Sequence, residues 1–354
     1  MTTDLLLIGQ GITGTWLSYY LEKYGVPHLV IDAYKENSPS RVASGVINPI
    51  TGRRMVKTWR IDELLPFAFD AYTEMGATMD QVPVRKSRII DQHVTPQMKL
   101  AFEDRMREEP QYVARPQNEN DYLPFFHYEL GYGIIEPVLL LDIHAVLNQR
   151  SRQLEANGQL IRENFDWNQV QLKEEGIQYG DITAKHIIFC DGLSAFTHPL
   201  FKNLPFAASK GEALWIEAPE LPDDVLVKKG MSLVPWSPGV FWVGSTYEWE
   251  FDTTEPTQQF YTQTEAHLKQ WLKVPFRILD HKAAIRPATL ERRPFVGFHP
   301  LEPRVGLFNG MGTKGCSLAP FFARQFVLNY LNGEPIYPEA ELKRFTKVLS
   351  RSLS

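Results

Sequence analysis

The chain opens with Leu5-Leu6-Leu7-Ile8, a short unbroken apolar run of the kind a parallel strand buried on both faces presents, and the run stops at Gly9-Gln10-Gly11. Beyond Gly14, the residues Trp16, Leu17, Tyr20, Leu21 and Tyr24 recur at helical spacing. Gly25 followed by Val26-Pro27 closes that segment as a C-terminal glycine and a following proline do. A second apolar run, His28-Leu29-Val30-Ile31, then ends on Asp32. Strand, helix and strand follow one another within about thirty residues, which predicts a βαβ unit.

Further along, Ile143 to Ala156 has helical periodicity and ends at Asn157-Gly158. His186-Ile187-Ile188-Phe189-Cys190 is a buried-strand run stopped by Asp191-Gly192, suited to join the first sheet. Between about Glu212 and Asp252 the pattern changes to aromatic and β-branched strands separated by Pro and Gly, as in Ala213 to Ile216 and Val240 to Val243, which predicts antiparallel sheet. From Leu307 to Leu331 a strand leads through Gly310, Gly312 and Gly315 into a helix carrying Phe322, Phe326, Tyr330 and Leu331, ended by Gly333 and Pro335. No repeat, low-complexity tract or linker interrupts this order. The expected architecture is α/β: a Rossmann-type domain from residues 1–80, 135–208 and 280–354, interleaved with a second domain from 81–134 and 209–279 that contains a largely antiparallel sheet.

Bulk properties narrow the classes of function. Of 354 residues, 44% are hydrophobic and 22% charged, the usage of an ordinary globular protein. A net charge of -5 gives no general attraction to phosphate backbones or anionic lipid, so nucleic acid is not expected as the main partner. Cys190 and Cys316 are the only cysteines, too few for a disulfide framework or a four-thiolate metal site, and a reducing cytoplasm fits them best. The longest apolar runs, such as Leu5 to Ile8 and Val138 to Leu141, fall far short of the ~20 residues that span a bilayer, so membrane insertion is not expected. With Asp4 at the front and a glycine motif from Gly9, no secretory signal is expected either. The histidines show no H-x-x-x-H or H-E-x-x-H spacing and no Gly-x-Ser-x-Gly elbow occurs, so neither a metal site nor a hydrolase is predicted.

Gly9-Gln10-Gly11-Ile12-Thr13-Gly14 is G-x-G-x-x-G. The first glycine permits a tight turn, the second lets the backbone approach a pyrophosphate, and the third lets helix and strand pack closely. The anion then meets free N–H groups and the positive end of the helix dipole. Because the motif follows a buried strand, opens a helix and is followed by Asp32, whose carboxylate can accept from ribose hydroxyls, a dinucleotide site is expected; the motif alone does not choose between FAD and NAD.

Several stations elsewhere make that choice by resemblance. Ala43-Ser44-Gly45-Val46-Ile47-Asn48-Pro49, Ile188 to Ser194, Lys210-Gly211-Glu212, Val243 to Glu248, Ala284-Ile285-Arg286-Pro287 and Asn309 to Pro320 stand in the order seen in the D-amino-acid oxidase and glycine oxidase superfamily of FAD-dependent oxidoreductases, which the chain resembles. The resemblance implies non-covalent FAD, held by Gly9, Gly11, Ile12, Thr13, Gly14, Asp32, Ala33 and Arg41. It adds Ala43, Ser44, Gly45 and Asn48 along the pyrophosphate and flavin ring, and Cys190, Asp191 and Gly192 beside the cofactor. Gly310, Gly312, Thr313, Lys314 and Gly315 would face the flavin pyrimidine. It makes the interleaved pair an FAD-binding and a substrate domain. Arg286 would lie over the flavin and pair with a substrate carboxylate, a task that suits its planar fork of parallel donors; Tyr247 would touch the substrate. Cys190 reads as a small packing residue.

The implied reaction is oxidation of the C–N bond of an amino acid or carboxylate-bearing amine by hydride transfer to flavin N5, with oxygen or another acceptor reoxidising the flavin. Lys314 is open between two positions, beside the flavin, where its charge would stabilise the reduced ring, or in solvent. Arg53, Arg54 and Lys57 read as a solvated basic face. Ser232 replaces the tyrosine that glycine oxidases carry before the Leu-x-Pro strand, and Ala288, Thr289 and Leu290 occupy the region where sarcosine-oxidase relatives attach flavin through cysteine. The C-terminal loop is most similar to the oxidase domain of bifunctional tRNA-modifying enzymes, so oxidation of an aminomethyl side chain on a modified tRNA base is one alternative. A flavin-binding redox module without turnover is the other.

Overall fold

The computed structural model describes residues 1–352. Its chain divides into two compact units: Met1–Arg41, Ile143–Ser209 and the segment from Ile285 on form the first, and Val42–Asp142 with Lys210–Ala284 the second. Two of the divisions fall inside long strands, Phe206–Glu217 and Arg277–Thr289.

The first unit is built on a sheet whose centre is parallel. The opening strand, Thr2–Ile8, pairs in parallel with His28–Ile31 on one side and Ile182–Phe189 on the other. The latter pairs in parallel with Glu302–Asn309 at its far end. Leu5, Leu6 and Leu7 are fully buried, as a continuous apolar run between two neighbours requires. Between the first two strands the predicted helix runs from Ile12 to Lys23, and Gly25 beyond it takes the left-handed φ of +69°. Every residue from Ile12 to Leu21 is buried, so this helix is core on all sides and its amphipathic spacing understates how deeply it sits. The Ile143–Ala156 helix forms where periodicity placed it, and the helix Gly315–Asn332 ends on Gly333 in the left-handed region. Phe189, Phe201, Phe295, Val305 and Leu307, all at or below 1% exposure, fill the core on one face of this sheet.

The second unit carries a nine-stranded sheet that is mostly antiparallel, with one parallel pairing between Leu226–Lys229 and Val84–Gln92. Its core gathers Phe126, Leu214, Ile216, Phe241 and Val243 with Phe260, Leu268 and Trp271 of the helix Gln258–Trp271. One polar cluster is buried in it. Glu212 is fully enclosed and accepts from Thr257 N at 2.7 Å, Thr257 Oγ1 at 2.8 Å and His281 Nε2 at 2.9 Å, with Lys210 Nζ 3.4 Å away. These partners satisfy both carboxylate oxygens, the condition under which a buried charge is tolerated. Among the described residues, no helix is long and apolar enough to cross a membrane.

Candidate active site

The first glycine turn sits at the carboxyl end of the opening strand. Gly14 allows the helix to approach so closely that a Cβ there would lie 1.9 Å from Gly9 O, a contact that only glycine avoids. Gly9 N donates to Ile31 O at 2.8 Å, and Cys190 N donates to Ile8 O at 2.8 Å, tying the turn to both neighbouring strands. Gly11 offers the helix no side-chain cap; instead Ser40 Oγ accepts from Ile12 N at 3.0 Å. Thr13 Oγ1 donates to Cys190 O at 3.3 Å. Buried Gln10 reaches Thr15 Oγ1 at 2.9 Å and Leu147 O at 3.2 Å, so its side chain braces the turn from below.

Asp32, half-buried at the end of the second strand, accepts from Gln10 N at 2.9 Å through Oδ1 and from Tyr34 N at 2.9 Å through Oδ2. Arg162 Nη1 reaches Oδ2 at 3.2 Å. Each carboxylate oxygen has two acceptor directions, so Oδ1 keeps one for a hydroxyl. Arg41 is buried and donates to Asn148 Oδ1 at 2.7 Å, and both Arg41 and Arg162 lie over the exposed ring of Tyr34. Ala33 is exposed beside them.

The second glycine turn closes a circle with the first. Asn309 ends the strand Glu302–Asn309; its Nδ2 donates to Gly192 O at 2.8 Å and its Oδ1 accepts from Gly310 N at 2.7 Å. Gly310 holds a φ of +79°. The segment after Arg286 lies against these glycines: Pro287 Cγ would be 3.9 Å from a Cβ on Gly192, and Ala288 Cβ 3.2 Å from one on Gly312. A Cβ on Gly315 would be 3.1 Å from Ile12 Cγ2, and one on Gly9 would be 3.0 Å from Asp191 Cα. Four stations distant in sequence are thus joined around one ring. Arg286 is half-buried where its strand enters that ring.

Burial sets the electrostatics here. It lowers Lys314, at the N-terminus of the Gly315–Asn332 helix, to about 8, and raises Asp191 to about 7. Lys314 is half-buried, which departs from a fully solvated lysine. Both thiols are driven up by desolvation, Cys190 well above its ordinary value and Cys316 to about 12, so neither is a thiolate at neutral pH. Thr313 is exposed.

The remaining expected residues belong to the second unit. Gly45, at a φ of +73°, exchanges backbone contacts with Leu141, whose N donates to Gly45 O at 2.9 Å. Asn48 Oδ1 accepts from Ile50 N at 3.0 Å, so that side chain shapes its own loop. Ala43 and Ser44 are half-buried and Tyr247 is 60% exposed. Lys57 departs from the solvated basic face: its ammonium lies 2.7 Å from Asp62 and 2.9 Å from Glu109, and these two carboxylates raise it. Arg53 and Arg54 are exposed, as that reading has them. No group of three or more His, Cys, Asp or Glu that could hold a metal occurs among the described residues.

Sequence reading missed Ser40, Arg162, Asn148 and the bracing amide of Gln10. Ser40 lies in Ser38-Pro39-Ser40, an ordinary turn signal, and nothing in that signal names a partner 28 residues away.

Comparison with known proteins identifies the family and the fold. The family model described as DAO, FAD dependent oxidoreductase, matches residues 4–327. Among solved structures, the chain is similar to iminodiacetate oxidase (IdaA) from Chelativorans sp. BNC1, with a TM-score of 0.72 at 18% identity over 94% of this chain and 96% of that one. It is similar to glycine oxidase from Geobacillus kaustophilus, at 0.77 and 15% over 95% and 96%. L-proline dehydrogenase from P. horikoshii gives 0.78 and 13% over 98% of each chain. At these identities the likenesses show a shared fold.

Proposed function

From its membership of the DAO family of FAD-dependent oxidoreductases, we propose that this enzyme oxidises the C–N bond of a small amine or amino acid that carries a carboxylate. The observation that supports the reading is the ring of contacts joining Gly9, Asp191, Asn309, Pro287, Gly312, Gly315 and Ile12 in one unit, with Arg286 and Lys314 next in the chain to Pro287 and Gly315. The names of the similar proteins support the substrate class, since iminodiacetate, glycine and L-proline each join an amine nitrogen to a carboxylate-bearing carbon.

The residues present fit FAD. Gly11 leaves the backbone bare at a helix N-terminus, where a Cβ would come within 3.1 Å of Ser40 Oγ, and a diphosphate requires that bareness. Asp32 retains an acceptor for a ribose hydroxyl. When bound, FAD supplies a two-electron acceptor. The chain's own residues supply position and charge. Arg286 would hold the substrate carboxylate through two parallel donors, fixing which C–H faces the cofactor. Lys314, desolvated, places a cation where its field is least screened. Desolvation keeps both thiols protonated, and neither is assigned a step. We assign the first unit to the cofactor and the second, with Tyr247, to the substrate.

The test is an anaerobic screen in which amino acids and N-substituted glycines are mixed with the yellow protein and flavin absorbance is followed. Bleaching by a carboxylate-bearing amine is expected. Arg286→Ala should raise the concentration needed by roughly 100-fold, the scale of a lost charge-assisted pair. If no amine bleaches the flavin and Arg286→Ala changes nothing, the protein is a flavin-binding module without turnover.

A further inference from the structure

The strand Val240–Gly244 is joined to the helix Gln258–Trp271 by a loop, residues 245–257, that carries two exposed aromatic side chains, Tyr247 and Trp249. Apart from one isolated bridge it forms no strand or helix. Long connections of this kind carry function when something fixes their course. Two residues of the strand Phe206–Glu217 fix this one. Glu212 N donates to Thr246 Oγ1 at 3.0 Å. Lys210 N donates to Glu248 O at 2.9 Å and Glu248 N returns to Lys210 O at 3.0 Å, so Tyr247 is held through both of its chain neighbours. The far end of the loop comes back to the same place: Glu212 Oε2 accepts from Thr257 N at 2.7 Å and Oε1 from Thr257 Oγ1 at 2.8 Å. Thr257 Oγ1 in turn accepts from Phe260 N at 3.3 Å and caps the helix. Glu212 thus ties both ends of the loop, one through its backbone and the other through its carboxylate.

We propose that Glu212 is a positioning residue: it closes this loop and thereby fixes Tyr247 for the substrate, while its own enclosed side chain touches none. The proposal rests on the reading above that gives the second unit, with Tyr247, to the substrate. The carboxylate is fully buried, with His281 Nε2 at 2.9 Å and Lys210 Nζ at 3.4 Å. A buried ionic cluster adds little stability beyond what apolar packing in its place would give, and its best-attested return is a fixed register of the chain. Breaking one of its ties leaves an enclosed charge short of a partner, so the clamp resists opening. A loop already ordered when the substrate arrives loses no further freedom on binding, so the clamp lowers KM and leaves the chemical step alone.

Thr257→Asp separates the clamp from the helix cap. Aspartate caps a helix at least as well as threonine, but it cannot donate to Glu212 and sets a second carboxylate against it. In the full-length flavoprotein, hydrogen exchange of the amides of residues 245–257 should quicken by about tenfold. KM for the amine that bleaches the flavin should rise by about tenfold, with kcat and FAD affinity within about twofold of wild type. Thr257→Ser, which keeps the hydroxyl, should restore both. Glu212→Gln combined with Thr257→Asp moves the negative charge across the contact and lets the amide donate, and should recover most of both losses. Should Thr257→Asp fail to fold, Thr246→Val removes the acceptor from Glu212 N at the other end, and it should quicken exchange and raise KM in the same way. Unchanged exchange, quicker exchange with KM unchanged, or a fall in kcat in place of the rise in KM overturns the proposal and leaves the proposed reaction intact. A wild-type flavin that no amine bleaches overturns both.

Discussion

Two glycine turns in the first unit invite comparison because their architecture is so nearly the same and their electrostatics are not. Gly9–Gly14 and Gly310–Gly315 each leave the end of a strand in the same sheet and open a buried helix, and the two meet where Ile12 touches Gly315. The first is uncharged, and a distant hydroxyl, Ser40, occupies its helix N-terminus. The second puts Lys314 at the corresponding place, with no side-chain cap. A cation at the positive end of a helix dipole is unfavourable, and desolvation lowers it further. One turn carries no charge of its own and has a side-chain oxygen on its first helical N–H. The other holds a positive charge at a cost to stability, the cost that the reading proposed above assigns to receiving negative charge from a ligand.

The comparison breaks most severely at the close approach of the first turn. Gly14→Ala places a Cβ 1.9 Å from Gly9 O, a backbone atom that no rotamer change can move, so the helix must shift away from the strand. We expect a loss of roughly 3 kcal/mol in unfolding free energy and at least about 100-fold in FAD affinity, read by denaturant unfolding and by fluorescence titration. Gly312→Ala is its counterpart in the second turn. There the new Cβ meets Ala288 Cβ at 3.2 Å and the cost is mainly the left-handed φ of +54°, about 1 kcal/mol. Equal losses from the two variants would show that the turns are equally close-packed and would remove the distinction.

Lys314→Met tests the charge itself. A lysine held at about 8 in the fold and near its ordinary, higher value when unfolded binds fewer protons folded than unfolded between those values, so wild-type stability rises with pH across that window. Below pH 8 the lysine is protonated in both states and the cost of burying its charge is fully felt. The flavin-free methionine variant should therefore be more stable than wild type at pH 7, and the gap should close as pH approaches 10. Thermal melts at matched ionic strength check this; a gap independent of pH would trace the effect to packing.

Each turn was legible in the sequence to a different depth. Gly9, Gly11, Gly14 and Asp32 lie within one βαβ unit, where spacing and periodicity are local and follow directly from backbone geometry. The second turn announced its glycines and its helix, but not the protonation behaviour of Lys314, which depends on what packs over it. Partners drawn from afar left no local trace: Arg162 reaches Asp32 across 130 positions and Asn309 reaches Gly192 across 117. The second unit illustrates the same limit. Aromatic and β-branched runs signalled its antiparallel strands, yet the enclosed Glu212 gathers Thr257 and His281 from 45 and 69 residues away, and Lys210-Gly211-Glu212 alone gives no sign of that burial. Lys57 looked like part of a basic surface because its two carboxylates, Asp62 and Glu109, come together only in the fold.

The smallest effect falls on the hydroxyl that caps the first turn. Ser40→Ala leaves Ile12 N without an acceptor, a change worth about 1 kcal/mol at a helix N-terminus. If Ser40 serves only the fold, flavin affinity should scarcely change, because the freed N–H is then available to the diphosphate. If the hydroxyl instead orders the turn for the cofactor, affinity should fall by about fivefold, and Ser40→Thr, which keeps an oxygen at the same place, should restore it. Measuring stability and FAD affinity on the same two variants separates these outcomes. A loss in stability alone would mean that the neutral turn is complete in its backbone; a loss in both would mean that it depends on a side chain borrowed from 28 residues away.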